Sequence, residues 1–320
     1  MNALSQLDLT LVRALRRHPR APLKDLAAAC GVSERTAGRH LDALLDRGTI
    51  RVTATLISER IGEGLVAALD VTCAPGRAAQ VADELAARDD VRFAAQTVGS
   101  ADVVAELTAA DRATLVRSLS DDIPRIPGIL SMRTAIVLET LLTANDWDPG
   151  GPDTPWRARA RRGEQPPRAP ALDTTDRRIE QALRRDARLP VARLAQELGM
   201  SESGVRRRLE HLLACEALVL RCEVPADLLG YPVETRFLLN VQPRHLERAL
   251  RQLAAEPVIR TLEVVTGPFN VLGYAAHRTP GEITMLFHRS LAPLAGVLAT
   301  DVSVVLRATK RSWTRLGGDT

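Results

Sequence analysis

Slid against itself at an offset of 168 residues, the 320-residue chain aligns without a gap. Asp8 falls on Asp176 and the run Ala14-Leu15-Arg16-Arg17 on Ala182-Leu183-Arg184-Arg185. Gly31, Ser33 and Glu34 fall on Gly199, Ser201 and Glu202, and Arg39, Leu41 and Leu44 on Arg207, Leu209 and Leu212. Of the 49 positions from Asp8 to Leu56, 16 are identical. The same offset later places Gly99 on Gly267 and Gly128-Ile129-Leu130 on Gly296-Val297-Leu298. Self-similarity at one fixed offset constrains the architecture before any local pattern is read, and a period this wide means duplicated domains, not a solenoid. The length agrees, because a single hydrophobic core rarely serves a chain of this size.

Between the copies, residues 143–171 are dense in Pro, Gly and Arg with almost no periodic apolar positions, which reads as an exposed, flexible linker. Its Arg157, Arg159, Arg161 and Arg162 could meet phosphate, but a charge run in a tether is ordinarily just solvated. Lys24 and Lys310 are the only lysines among 43 basic residues, which leaves 41 arginines. That skew reflects coding bias more than a surface built for phosphate, so a net charge of +4 says little about nucleic acid. Cys30, Cys73, Cys215 and Cys222 contain no C-x-x-C pair and no His at zinc-finger spacing, so neither a metal site nor a disulfide framework is indicated. Cys30 aligns with Leu198 and Cys73 with Val241, which suits buried free thiols. No apolar run reaches the roughly 20 residues of a membrane span, and the amino terminus lacks a secretory pattern. A cytoplasmic chain is expected.

In the first copy, Leu11 and Leu15, then Leu23, Leu26 and Cys30, then Ala37, Leu41 and Leu44 recur at helical spacing. Ile179, Leu183, Val191, Leu194, Leu198, Val205, Leu209 and Leu212 keep that register in the second. Between the second and third helices stand Gly31-Val32-Ser33 and Gly199-Met200-Ser201: glycine closes one helix in the left-handed conformation and serine caps the next. That is a helix-turn-helix signature. With Ala37, Leu41 and Leu44 facing the core, Ser33, Arg35, Thr36 and Arg39 point outward from the start of the third helix. Ser201, Ser203, Arg206 and Arg207 do so in the second copy, with Arg208 toward the flank at a phosphate-contacting position. Arginine at such positions can enter the major groove of double-stranded DNA. Gly38 and Gly204 inside these helices each cost about 1 kcal/mol relative to alanine.

After Gly64 the pattern changes to a strand, a helix over 78–87, two strands over 91–98 and 102–108 across Gly99-Ser100-Ala101, a helix from Arg112 and a last strand over 129–138. The order βαββαβ is ferredoxin-like and recurs in the second copy. Its sheet carries helices on one face only, so the other face calls for a partner sheet, which the tandem copy supplies. The expectation is an α+β chain: helix-turn-helix domains over 1–56 and 172–224, βαββαβ domains over 57–142 and 225–320, and the linker between them.

These motifs together resemble the Lrp/AsnC (feast/famine) family of transcriptional regulators. The family's opening pattern L-D-x-x-D-x-x-I appears as Leu172-Asp173-Thr174-Thr175-Asp176-Arg177-Arg178-Ile179. Its recognition-helix pattern is met by Val32-Ser33 with Arg39 and by Met200-Ser201 with Arg207. The resemblance implies a winged helix-turn-helix joined to an amino-acid-sensing domain, with one chain equal to one family dimer and further self-association in reach. It also implies an effector loop of Gly, a variable residue, an aromatic and Asp. Here that loop reads Gly99-Ser100-Ala101-Asp102, without the aromatic, and Gly267-Pro268-Phe269-Asn270, with Asn for Asp. On the residues alone, each glycine could simply permit a tight hairpin. The expectation is a non-enzymatic regulator without a cofactor. The alternative is an enzyme, because fused chains of this kind also resemble sirohaem decarboxylases; Tyr274, His277 and Arg278 are the nearest candidates for such chemistry, and their first-copy counterparts Glu106, Ala109 and Ala110 do not match them.

Overall fold

The computed structural model describes residues 4–57, 64–144, 147, 155–164 and 171–316, which form two compact units, one mainly helical and one built on a sheet.

In the helical unit, α1 (Gln6–Arg17), α2 (Leu23–Cys30), α3 (Glu34–Asp46) and β1 (Arg51–Leu56) come from the amino-terminal half. Local chemistry sets each boundary. Ser5 Oγ accepts from the Asp8 N–H at 3.1 Å while the Asp8 carboxylate accepts from the Ser5 N–H at 3.2 Å, a reciprocal cap on α1. Gly31, at φ +65°, closes α2. Residues 174–223 repeat the order. After the sheet elements and α6 (Pro155–Arg162), they supply α7 (Thr174–Arg185), α8 (Val191–Leu198), α9 (Glu202–Ala214) and β6 (Leu218–Glu223). Asp173 and Asp176 form the equivalent cap on α7, and Gly199 at φ +66° the equivalent stop of α8. The strand after α3 pairs antiparallel with the strand after α9, from Arg51 opposite Glu223 to Leu56 opposite Leu218. Leu11, Leu15, Leu41 and Leu44 from one half and Ile179, Leu183, Leu209 and Leu212 from the other share a single hydrophobic core.

The sheet unit takes β2 (Leu65–Cys73), α4 (Ala78–Ala87), β3 (Val91–Val98), β4 (Val103–Ala109), α5 (Arg112–Arg117) and β5 (Ile129–Leu142) from one half. From the other come β7 (Val233–Val241), α10 (Pro243–Ala255), β8 (Ile259–Val265), β9 (Val271–His277), α11 (Gly281–Met285), β10 (Val297–Arg311) and the short β11 (Thr314–Arg315). Strand order runs β11-β10-β3-β4-β2-β5-β8-β9-β7, and β10 pairs with β7 as well, so the long strands close on themselves. The seams join the halves: β5 pairs with β8 and β10 with β3. β5 and β10 each change partner along their length, β5 from β2 to β8 after Ile136 and β10 from β7 to β3 near Val304 and Val305. The outer faces pack on helices, Val81 and Leu85 of α4 on Leu69 and Leu107, and Leu250 and Leu253 of α10 on Phe237 and Leu239. The inner faces meet around Val66, Ala68, Val137, Leu238, Leu272 and Tyr274.

That interior is not purely apolar. Arg236 donates to Asp70 at 2.6 Å, Arg92 to Glu106 at 2.9 Å and to Glu263 at 3.3 Å, and Arg260 to Glu234 at 2.7 Å. Arg311 completes the surroundings of Glu234. Burial pushes the Glu234 carboxyl up, but Arg311 and Arg260 more than reverse this and hold it at about 2.

Within the segment read as a flexible linker, residues 155–164 depart from that expectation, while residues 145–146, 148–154 and 165–170 lie outside the described residues. Residues 155–162 form α6, and Arg157 is buried, donating to the carbonyls of Ala254 and Glu256 at 2.9 and 3.0 Å and to that of Ile259. Ala254 lies in the last turn of α10, whose carbonyls lack intrahelical partners, and Glu256 and Ile259 follow it, so one guanidinium gathers the carbonyls of the α10–β8 junction. Arg162 pairs with Glu164, and Ala160 joins the core under β5. Arg157 is therefore a structural anchor and not a phosphate ligand; composition alone cannot show that Arg157 and Ala160 lie one helical turn apart on a docked face.

Candidate nucleic-acid interface

The candidate interface is built on the first turns of α3 and α9. Ser33 Oγ accepts from the Thr36 N–H at 3.2 Å and lies 2.9 Å from the Thr36 hydroxyl; Ser201 Oγ accepts from the Gly204 N–H at 3.2 Å and lies 3.3 Å from the Ser203 hydroxyl. Both cap serines are exposed and hold their helix starts in place. Ala37, Leu41 and Leu44, and likewise Val205, Leu209 and Leu212, are buried, which fixes the rotation of each helix. Arg35 and Arg39 on α3, and Arg206 and Arg207 on α9, consequently stand in solvent. None of the four has a hydrogen bond or ion pair with another described residue. Gly38 sits where a Cβ would come within 3.2 Å of Leu23 Cδ2, so its cost to the helix is offset by close passage of α2.

Arg208 differs. Its Nη1 donates to Asp173 at 2.7 Å and to Asp176 at 2.9 Å, tying α9 back to the cap of α7. Arg208, expected at the flank, thus braces α9 against α7 through two carboxylates, which leaves its guanidinium fewer open donors than those of Arg206 and Arg207. The equivalent position in α3 is His40, whose Nδ1 lies 2.7 Å from Asp8 Oδ1. Burial raises the Asp8 carboxyl, but hydrogen bonds from Ser5 and His40 outweigh it and leave the net value below the ordinary range. The same cross-brace thus recurs with different residues, a relation that identity counting at the repeat offset passes over.

The hairpin loops over 99–102 and 267–270 are also equivalent. Asp102 Oδ2 accepts from the Cys73 N–H at 2.7 Å, and Asn270 Oδ1 accepts from the Val241 N–H at 2.9 Å while its Nδ2 donates to the Val241 carbonyl at 2.7 Å. Both side chains therefore pin their loop to the first strand of their own half. Gly99 has φ +152° and lies against Ser303 of the other half, whereas Gly267, at φ +105°, faces open space. Phe269 is half-buried against the inter-sheet cluster. Of the enzyme candidates, Tyr274 and His277 are buried, Tyr274 edge-on to Phe93 and His277 Nε2 2.9 Å from Thr235 Oγ1. Among the described residues no cluster of His, Cys, Asp or Glu is arranged to hold a metal, and no helix is long and apolar enough to cross a membrane. All four cysteines are free; Cys73 and Cys222 are buried, and burial, with Asp102 nearby for Cys73, raises their thiols to about 11 and about 12.

Comparison with known proteins adds family information to this geometry. Residues 172–213 match the AsnC-type helix-turn-helix domain, residues 66–146 the Lrp/AsnC ligand binding domain and residues 4–51 a winged helix-turn-helix DNA-binding model. The HTH-type transcriptional regulator FL11 of Pyrococcus abyssi is 28% identical over 139 residues, 43% of this chain and 91% of that protein. LrpA of Pyrococcus horikoshii is 27% identical over 139 residues, again 43% of this chain and 99% of its own length. Among solved structures, the siroheme decarboxylase NirDL aligns with 95% of this chain and 92% of its own at TM-score 0.62 and 13% identity, a likeness of fold. The second helix-turn-helix and the first sheet domain thus match Lrp/AsnC models, and in those two segments this chain is similar to Lrp/AsnC transcriptional regulators.

Proposed function

We propose that the chain is a sequence-specific DNA-binding transcriptional regulator of Lrp/AsnC type, in which two full copies of a helix-turn-helix and a βαββαβ domain act as one intramolecular pseudo-dimer. One contrast carries the reading: Arg35, Arg39, Arg206 and Arg207 stand exposed and unpaired among described residues at the outward starts of α3 and α9, whereas Arg208, one position on, is tied to Asp173 and Asp176. Unpaired guanidinium groups at the start of a recognition helix suit guanine edges and phosphates in the major groove. The relatives named as transcriptional regulators support the same reading. Because α3 offers Arg35-Thr36 where α9 offers Ser203-Gly204, the two half-sites differ and the operator is not palindromic.

The match to a ligand-binding model supports a small-molecule effector of the amino-acid class, acting through the loops that contain Gly99, Asp102, Gly267, Phe269 and Asn270. Further self-association of the pseudo-dimer belongs to the same proposal. Selection from random DNA with the full-length protein, with and without an amino-acid mixture, tests it: enrichment of two unequal half-sites is expected. Recovery of perfect palindromes alone would reject the asymmetry, and no enrichment would reject the regulator.

The full-length fold likeness to a siroheme decarboxylase favours a second reading, an enzyme on the same scaffold. Against it, the Tyr274 and His277 side chains are enclosed by Phe93 and Thr235. An absorbance change on mixing the protein with sirohaem would favour the enzyme.

A further inference from the structure

Arg20 and Arg188 are equivalent at the repeat offset, and each lies in the connection between the first and second helices of its half. Arg20 Nη1 donates to the Ala187 carbonyl at 2.6 Å and Nη2 to the Leu189 carbonyl at 2.8 Å. Arg188 returns the arrangement, Nη1 to Pro19 at 2.8 Å and Nη2 to Ala21 at 2.9 Å. Each guanidinium therefore straddles the two carbonyls that flank the other arginine. Both are half-buried, and Asp186, whose Oδ1 accepts from the Arg188 N–H, places one carboxylate beside the two cations. Two further bonds run from the second half to β1: the Ala187 N–H to the Val52 carbonyl at 3.0 Å, and the Thr53 hydroxyl to the Arg184 carbonyl at 2.8 Å.

The position of this clasp gives it a consequence for DNA. The connections lead directly into α2 and α8, and one glycine turn later into α3 and α9, so four hydrogen bonds between the connections bear on the separation and relative rotation of the two recognition helices. Pairing of β1 with β6, the two bonds to β1 and the shared hydrophobic core also join the halves, but only the clasp bridges the connections that lead into α2 and α8. We infer that the reciprocal Arg20–Arg188 clasp sets the spacing between the two DNA half-sites that one chain can engage at once. Both are positioning residues, since each turns both Nη atoms of its guanidinium to backbone carbonyls. The inference rests on the DNA-binding function proposed above and adds the element that determines its spacing specificity. Lysine would keep the charge but cannot bridge two carbonyls with a planar fork.

The test uses the full-length protein and a library in which the selected half-sites are separated by every spacer across roughly two helical turns, about 20 base pairs. Wild type should prefer one spacer over out-of-register spacers by on the order of 100-fold, because simultaneous engagement is lost when geometry forbids it. Arg20→Lys/Arg188→Lys should bind each isolated half-site like wild type but show a spacer preference flattened to below about tenfold. A spacer profile in the lysine variant as sharp as that of wild type overturns the inference while leaving the regulator intact. No DNA selected by wild type overturns both. A merely structural role would weaken all spacers equally. A second measurement uses no DNA: spin labels attached by non-cysteine chemistry at the equivalent exposed positions Asp42 and Glu210 should give one narrow distance in wild type and a broadened one in the lysine variant. An unchanged width also overturns the inference.

Discussion

Asp70 of β2 accepts from Arg236 of β7 across the interior of the closed sheet, and with side-chain exposures of 11% and 4% this is an ion pair nearly out of water. The second oxygen of Asp70 lies 3.4 Å from Arg133, an exposed residue, so the carboxylate keeps a weaker partner if Arg236 is removed. Leaving one member of a buried pair behind typically costs about 3–5 kcal/mol, and Arg133 should bring Arg236→Met to the low end of that range. Replacing both partners with apolar residues, Asp70→Leu with Arg236→Met, should recover most of the loss. Urea midpoints for the three variants check this, and a double variant as unstable as the sum of the two single ones would refute it.

Acid should destabilise the sheet unit in two windows. Burial lowers the His277 imidazole below its ordinary 6.5, with Glu282 opposing. The unfolded chain therefore takes up a proton before the folded one, and stability falls as pH drops below about 6.5. Glu234 is held at about 2 against 4.5 when unfolded. Its contribution is complete above pH 4.5 and is lost as pH falls toward 2. Unfolding midpoints at about pH 7, 5.5 and 3.5 should fall at each step. In His277→Gln the drop between the first two should shrink, and an unaltered drop would place the titration elsewhere.

Gly99 and Gly267 occupy the same place in the repeat but not the same space. A Cβ on Gly99 would lie 2.3 Å from Ser303 Oγ and 3.0 Å from its Cα, whereas one on Gly267 meets nothing within 4 Å. Gly99→Ala should therefore carry both overpacking and backbone strain, about 3 kcal/mol in all, and Gly267→Ala strain alone, about 1 kcal/mol. Thermal unfolding of the two variants decides it. Equal losses would mean that Ser303 moves aside freely.

Much of this organisation was legible in the sequence. The repeat offset, the glycine stops at Gly31 and Gly199 and the cap serines predict the helix-turn-helix halves, and period-two patterning predicts the βαββαβ order, because each rests on local backbone chemistry. What escaped notice depends on distant partners. Helical position alone left Arg208 at the flank, and only the fold brings Asp173 and Asp176 to it. Arg157 looked like one of a solvated run until the end of α10 supplied carbonyls. Arg20 and Arg188, identical in the two halves along with the nearby Pro22 and Pro190, did leave a trace: arginine kept at equivalent places in a connection where neither helix periodicity nor capping asks for it.

Arg39 and Arg207 are the sharpest test of the interface because they are equivalent, exposed and unpaired among described residues. If each reaches a base edge, Arg39→Ala and Arg207→Ala should each weaken binding to the selected operator by about 1–3 kcal/mol and relax selectivity within one half-site only. If instead they meet phosphates, the loss should be similar for all sequences and the salt dependence should flatten by about one charge per substitution. Arg208→Ala gives the contrast: with its guanidinium already paired to Asp173 and Asp176, its removal should lower thermal stability while leaving the salt slope of binding unchanged. Affinity measured at several salt concentrations for the three variants separates these outcomes. A salt slope that falls with Arg208→Ala and holds with Arg39→Ala and Arg207→Ala would mean that the DNA-facing and internally braced arginines have been assigned the wrong way round.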